Sequence, residues 1–285
     1  LMNKNILSIF ILPLLIIILS ACQEQSSAED KYEEAKKNYQ NDPENPDKLI
    51  WYGRRTAYLG DYENAIKIYS DGIEKFPNNP RFFRHRGHRY ISIRKFDKAI
   101  KDFEKAAVLI QGTENEIEQD GMPNAMNIPV STLHGNIWYH LGLAYYLKHD
   151  YEKAFVAYDK CRESGNLDDN IVSSTNWLYM IQRRIGDLDK ANQMLDPIKM
   201  EAEIIENFDY HKLCKFYKGL IPIDSLATTG EDTPSSDAVK YGIANWYFNN
   251  REKSKAKIVF EEIVQGTSKF SFGYIAAESD LKEYY

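Results

Sequence analysis

Apolar residues along this chain return every three or four positions, in paired stripes joined by short polar turns. Ala65, Tyr69, Gly72, Ile73 and Phe76 form one stripe, the spacing of a helix that buries a single face. Pro77 and Pro80, with Asn78 and Asn79 between them, stop that helix. Ala99, Phe103 and Ala106 occupy the matching slots of the next unit, and Ala65 and Ala99 lie 34 residues apart. The turn before each alanine is nearly the same three times: Gly60-Asp61-Tyr62-Glu63-Asn64-Ala65-Ile66, Arg94-Lys95-Phe96-Asp97-Lys98-Ala99-Ile100 and His149-Asp150-Tyr151-Glu152-Lys153-Ala154-Phe155. A helix pair of this length cannot bury its apolar face alone, so the period predicts stacked pairs, an all-α solenoid.

The third unit carries the most specific pattern. Trp138-Tyr139-His140-Leu141-Gly142-Leu143-Ala144-Tyr145 reads W-x2-L-G-x2-Y, which resembles the tetratricopeptide repeat (TPR). Gly53, Gly87 and Gly142 fall in one slot of three first helices, where a larger side chain would push the pair apart. Glycine inside a helix costs about 1 kcal/mol relative to alanine, which calls for a packing reason. Two degenerate units follow. Residues 172–200 fit through Gly186, Leu188, Ala191 and Leu195, and residues 237–266 through Ala244, Tyr247, Ala256 and Phe260, although Arg251-Glu252-Lys253 departs from the usual Gly-x-aromatic turn. About five helix pairs are expected, three clear and two degenerate.

Outside the pairs, Ala28 to Gln40 reads as a short charged capping helix ended by Asp42-Pro43-Glu44-Asn45-Pro46. The spacing stretches to 55 residues between Ala99 and Ala154, which marks a loop insertion over residues 112–133. It reads either as a lid over the repeat surface or as a plain solvated loop. A second irregular segment spans 223–237, and a last helix is expected around Ile275–Leu281, packed on the fifth unit.

The N-terminus is of another kind. Lys4 precedes an apolar run from Ile6 to Leu19, interrupted by Pro13 and followed by Ser20-Ala21-Cys22. The run is short for a membrane span and fits a secretory leader. Small residues ahead of a cysteine resemble the bacterial lipobox, which implies cleavage after residue 21 and acylation of Cys22. The expected organisation is therefore a lipoprotein signal peptide over 1–21, a tether over 22–30 and a solenoid domain over 31–285. Gln23, rather than aspartate, follows the cysteine; by the same resemblance an outer-membrane address in the cell envelope is favoured.

Charge and chemistry narrow the function. The formal charge is −6, and −7 once Lys4 leaves with the leader, so nucleic acid is a poor partner. Against that background Arg81, Arg84, Arg86, Arg89, Arg94 and Lys95 crowd one stretch with no acid among them. In TPR proteins the first helix of each pair lines the partner groove; the resemblance implies groove positions for Arg54, Tyr58, Arg84, His88, Tyr139, Tyr146, Asn176, Arg183, Tyr241 and Asn245. Arginine with tyrosine is the composition of binding hot spots, and arginine forks hold carboxylates. An acidic or carboxylate-bearing protein or peptide is one reading of the basic stretch. The other is that its arginines pair with Glu63, Asp71 and Glu74 and hold the stack together.

No H-E-x-x-H, G-x-S-x-G, P-loop or dinucleotide fingerprint occurs, and no cofactor is implied. His85 and His88 have no carboxylate at ligand spacing, and Cys161 takes the buried slot that Ala106 fills one unit earlier. A Cys161–Cys214 bridge is open in an oxidising compartment. Together these features predict a noncatalytic envelope lipoprotein that binds a protein or peptide. Capture of a glycan or oligopeptide is the alternative, with a hydrolase using Glu116, Glu118 and Asp120 behind it.

Overall fold

The computed structural model describes residues 27–226 and 233–285. Cys22, the leader and most of the tether lie outside the described residues, as do residues 227–232 of the second irregular segment. All regular elements among the described residues are helices. None of these helices is long and apolar enough to cross a membrane. The chain divides into two compact units, one ending at Asn78 and one running Asn79–Tyr285.

In the first unit a helix over 27–41 (α1) precedes the pair Pro46–Tyr58 (α2) and Tyr62–Lys75 (α3). Asn45 caps α2 by accepting from Asp47 and Lys48, with Pro46 at the first helical position, and Asp61 caps α3 through Asn64. The α1 helix caps this pair as expected, stacking Tyr39 on Tyr52 with ring centres 6.0 Å apart.

The second unit contains four pairs: Pro80–Ser92 (α4) with Phe96–Leu109 (α5), Leu133–Leu147 (α6) with Tyr151–Glu163 (α7), Asp168–Ile185 (α8) with Leu188–Met194 (α9), and, after Phe208–Tyr217 (α10), Pro234–Asn249 (α11) with Lys253–Gln265 (α12). Phe272–Tyr284 (α13) closes the chain. The fold is an all-α solenoid of TPR-like pairs. Its glycine slots work as the sequence requires: a Cβ on Gly142 would fall 2.6 Å from the Tyr158 ring, and one on Gly87 3.0 Å from Phe103. Tyr158 stacks in turn on Trp177, and both are buried in a core that runs from Ile91 to Ala277.

The period also appears in the backbone. The residue five before each repeat alanine turns left-handed in all five pairs: Gly60 (φ 82°), Arg94 (59°), His149 (58°), Gly186 (93°) and Arg251 (67°). Arg251, whose turn departs from the sequence pattern, nonetheless keeps its geometry.

Three features differ from the sequence expectation. The irregular segment 223–237 contains a 3-10 turn, Ile223–Leu226, and the start of α11, which Thr233 caps by accepting from Ser236. The insertion is closed at its neck by an antiparallel bridge, with Glu118 N–H donating to Ser131 (3.0 Å) and Leu133 N–H to Glu116 (2.8 Å), so a plain solvated loop does not describe it. Finally, α13 packs on the fifth pair but also reaches α6. Cys161 and Cys214 are both buried and free; the bridge left open by the sequence is not formed.

Candidate functional site

The basic helix α4 finds its carboxylates inside the chain, from segments the sequence did not point to. Arg84 Nη2 lies 3.1 Å from Glu118 Oε2, His85 Nε2 lies 3.1 Å from Glu118 Oε1, and Asn136 Nδ2 donates to Oε2 at 2.6 Å. The insertion is thus fastened by one buried carboxylate to α4 and α6. Arg86 forms a two-point fork with Asp102 of α5 (2.8 and 2.7 Å), the intramolecular pairing foreseen in kind, though not with Glu63, Asp71 or Glu74. Desolvation raises Asp102 against the pull of that arginine. Glu118, one of the three carboxylates available to a hydrolase, is committed to this latch.

At the centre of the second unit α13 lies where the first helices were expected to face a partner. Arg184 Nη2 donates to Asp280 at 2.5 Å with both side chains 1% exposed, and Tyr241 donates to the same carboxylate at 2.9 Å. The Asn245 amide faces Arg184, whose guanidinium only donates. Its oxygen therefore accepts from Nη2 (3.0 Å), from Nε (3.2 Å) and from Tyr146 (2.6 Å). Ser279 donates to the Leu147 carbonyl (2.8 Å), and Arg94 pairs with Glu278 (2.7 Å).

These contacts correct the expected groove. Tyr146, Asn176, Tyr241 and Asn245 are buried, and the helix α13 covers the wall formed by Tyr146, Tyr241 and Asn245. Arg183 bonds Tyr179 (2.8 Å) and Asn250 (2.7 Å). His88 is half-buried, its ring 4.5 Å from His140 and 5.6 Å from Phe272. In the first unit Arg54 donates to Tyr58 from Nε and Nη2, each at 3.3 Å, and stacks on Trp51 at 4.4 Å.

An opening remains at the N-terminal ends of α6, α8 and α10. A cavity of about 270 Å³ is lined by Ser131 and Thr132 of the insertion, Asn136, Tyr139 and His140 of α6, Asp169, Asn170 and Ser173 of α8, the segment from Glu206 to Tyr210, and Phe272. A second hollow of about 230 Å³ adjoins it, sharing Glu206, Asn207, Tyr210 and Phe272 and adding Asp209 and Ser235. Of the ten expected groove residues, the structure brings only Tyr139 into this cavity.

Its walls are held firmly. Asp169, at the start of α8, accepts from the backbone N–H of Ile205, Glu206 and Asn207 at 2.8, 2.9 and 2.8 Å, which fixes the strand of chain leading into α10. Tyr139 shares a hydrogen bond with Tyr210 (3.1 Å) and accepts from Trp177 (2.8 Å). Glu206 accepts from Asn124 of the insertion (3.0 Å). Partial desolvation, then repulsion from Asp120 and Asp169, raises the Glu206 carboxyl above its ordinary range despite that bond. Burial, with repulsion from Arg84, pulls His140 down to about 3. Its Nδ1 therefore carries the proton donated to the Asn136 carbonyl (2.6 Å), and neutral Nε2 is left as an acceptor.

Sequence reasoning missed Asn170, Glu206, Asn207, Tyr210 and Phe272. The only available signal was an aromatic at the entry of α10, which reads equally as an ordinary amphipathic helix. Among the described residues no group of three or more His, Cys, Asp or Glu is arranged to hold a metal ion.

The tetratricopeptide repeat family model matches residues 135–163. No curated protein matches the chain. Among solved structures, a tetratricopeptide repeat protein from Parabacteroides merdae aligns with a TM-score of 0.54 at 16% identity, covering 94% of this chain and 98% of that one. MamA from Desulfovibrio magneticus aligns at 20% identity with a TM-score of 0.46, over 65% and 91% of the two chains. YrrB, a TPR protein with an unusual peptide-binding site, aligns at 14% identity with a TM-score of 0.48, over 87% and 99%. Helix pairs of matched register, glycine-to-aromatic contacts between them and left-handed turns at one repeating slot give this chain a tetratricopeptide-like fold, with one pair matching the family model itself.

Proposed function

We propose that the protein is a noncatalytic binding module of a bacterial cell envelope, anchored through acylated Cys22, which engages a protein or peptide partner at the cavity between the insertion, α6, α8 and α10. The fold supports protein interaction in general. The observation that carries the choice of surface is the coverage of the inner wall by α13, with Tyr139, Tyr210 and Phe272 offered to an incoming segment at the cavity that remains. The acidic partner suggested by the basic stretch loses its support, since Arg84 is engaged by Glu118 and Arg184 by Asp280.

The test is to solubilise the tagged full chain from envelopes and identify proteins recovered in stoichiometric amount. Recovery should fall when Glu206, an exposed position, becomes lysine, with the circular dichroism spectrum unchanged. A partner recovered equally with the variant removes the cavity from this reading. Mass spectrometry of the mature N-terminus tests the anchor, and an unmodified Cys22 refutes it. The aromatic lining also supports capture of a glycan, since sugar faces stack on such rings. Oligosaccharides that raise the melting temperature would favour that role over a protein partner.

A further inference from the structure

Among the described residues, the two adjoining hollows are lined by three carboxylates, Asp169, Glu206 and Asp209, and by no lysine or arginine. Two of the three are occupied by the fold. Asp169 is saturated by backbone N–H groups, and Asp209 bonds Lys212 (3.4 Å) and Ser235. Glu206 differs, because its hydrogen-bond partner is a neutral amide, Asn124. Among the described residues no cation pairs with it, and His140, which also lines the cavity, is uncharged at neutral pH. Facing this carboxylate across the same hollows are the rings of Tyr210 and Phe272, with Tyr139 deeper in.

We infer that the segment received here is cationic: a lysine or arginine side chain sets its charge on Glu206 and lays its aliphatic stem across Tyr210 and Phe272. Long basic side chains bury their methylenes against apolar surface while the head stays polar, and aromatic faces attract the cation itself. A carboxylate or phosphate in the same place would meet three acids and no counter-charge. The raised carboxyl of Glu206 fits this assignment, since a neighbouring cation would relieve the repulsion from Asp120 and Asp169. The inference rests on the binding role proposed above and gives the partner a chemistry opposite to that suggested by the basic helix α4.

Fluorescence anisotropy on the detergent-solubilised full chain tests it, with end-blocked pentapeptides of alternating glycine and lysine, and counterparts in which glutamate or serine replaces lysine. The lysine peptide should bind in preference to the other two and be weakened by added salt. Glu206→Lys should weaken it about 10-fold or more, the worth of one charge-assisted hydrogen bond. Glu261→Lys, the same charge change at an exposed position on α12, should alter it less than about 2-fold. Failure of the lysine peptide to bind, equal loss in both variants, or equal binding of the glutamate peptide overturns the inference. Deuterium exchange separates that failure from failure of the binding role. Protection of residues 206–210 by an envelope partner that docks through a segment without lysine or arginine would sink the cationic assignment alone. No protection by any partner or peptide would sink both.

Discussion

Replacing His140 by glutamine should remove a defined part of the protein's sensitivity to acid. His140 is buried against His88, Phe103 and Phe272, with ring centres 4.5, 5.8 and 5.5 Å away. Burial first, and then the positive charge of Arg84, hold its pKa near 3 against an unperturbed 6.5. The unfolded chain therefore binds a proton at this residue throughout a window in which the native state does not. The neutral imidazole contributes its full stability above pH 6.5, and that contribution is lost as pH falls toward 3. Each pH unit in the window is worth about 1.4 kcal/mol, so the step from pH 7 to pH 5 should cost the wild type about 2 kcal/mol through His140 alone. His88 is depressed as well, chiefly by burial and next by Arg89, and adds a loss of the same sign. The groups facing the pair are Arg84, Arg89, His85 and Glu118, and they are unchanged in the variant. Urea denaturation at the two pH values gives the measurement, with the pH difference rather than the absolute stability as the readout. Glutamine weakens ring packing at both pH values but cannot titrate. A His140→Gln variant that loses as much stability as the wild type between pH 7 and pH 5 refutes the reasoning.

Three further perturbations test the architecture. Gly142→Ala places a methyl 2.6 Å from the Tyr158 ring and should cost about 1–3 kcal/mol despite alanine's better helix propensity, whereas Gly87→Ala, with Phe103 at 3.0 Å, should cost less; thermal melts rank the two. Asp280→Asn strands the Arg184 guanidinium at 1% exposure and should cost about 3–5 kcal/mol in urea titrations, while the double variant Arg184→Met/Asp280→Leu should recover most of that. Glu118→Gln removes the charge that fastens the insertion, so limited proteolysis between residues 119 and 128 should speed up about 10-fold or more with the helical core intact; an unchanged cleavage rate would show that the latch does not hold the loop.

What the sequence made legible was whatever repeats locally. Gly53, Gly87 and Gly142 were readable as contact points because their partners, Tyr69, Phe103 and Tyr158, sit one helix away at a fixed offset. The turn slot could be followed even at Arg251, since the alanine five residues on kept its place. The charged positions were not legible in this way. Arg84 reads as a groove residue by its slot, yet its carboxylate comes from an insertion outside the period. Tyr146 and Tyr241 read as a wall, yet that wall is covered by the helix that carries Asp280, far along the chain from Tyr146. Periodicity specifies which face a residue occupies and says nothing about what arrives there from a distant segment. The cavity was hidden for the same reason, because the insertion, the segment leading into α10 and Phe272, which complete its walls, lie outside the repeating pairs.

The left-handed turns at Arg94 and His149 alter how this array comes together. A non-glycine residue in that conformation carries about 1 kcal/mol of strain, and in Gly60 and Gly186 the same slot avoids it. Arg94 and His149 instead use their side chains to grip Glu278, the Lys269 carbonyl and Ser279, partners 130 to 184 residues away. Repeat arrays ordinarily assemble by neighbour on neighbour, each unit indifferent to the rest. Here two tense corners are moored by residues far along the chain, so the stretch from Lys269 to Ser279 ties the second and third pairs into one cooperative body.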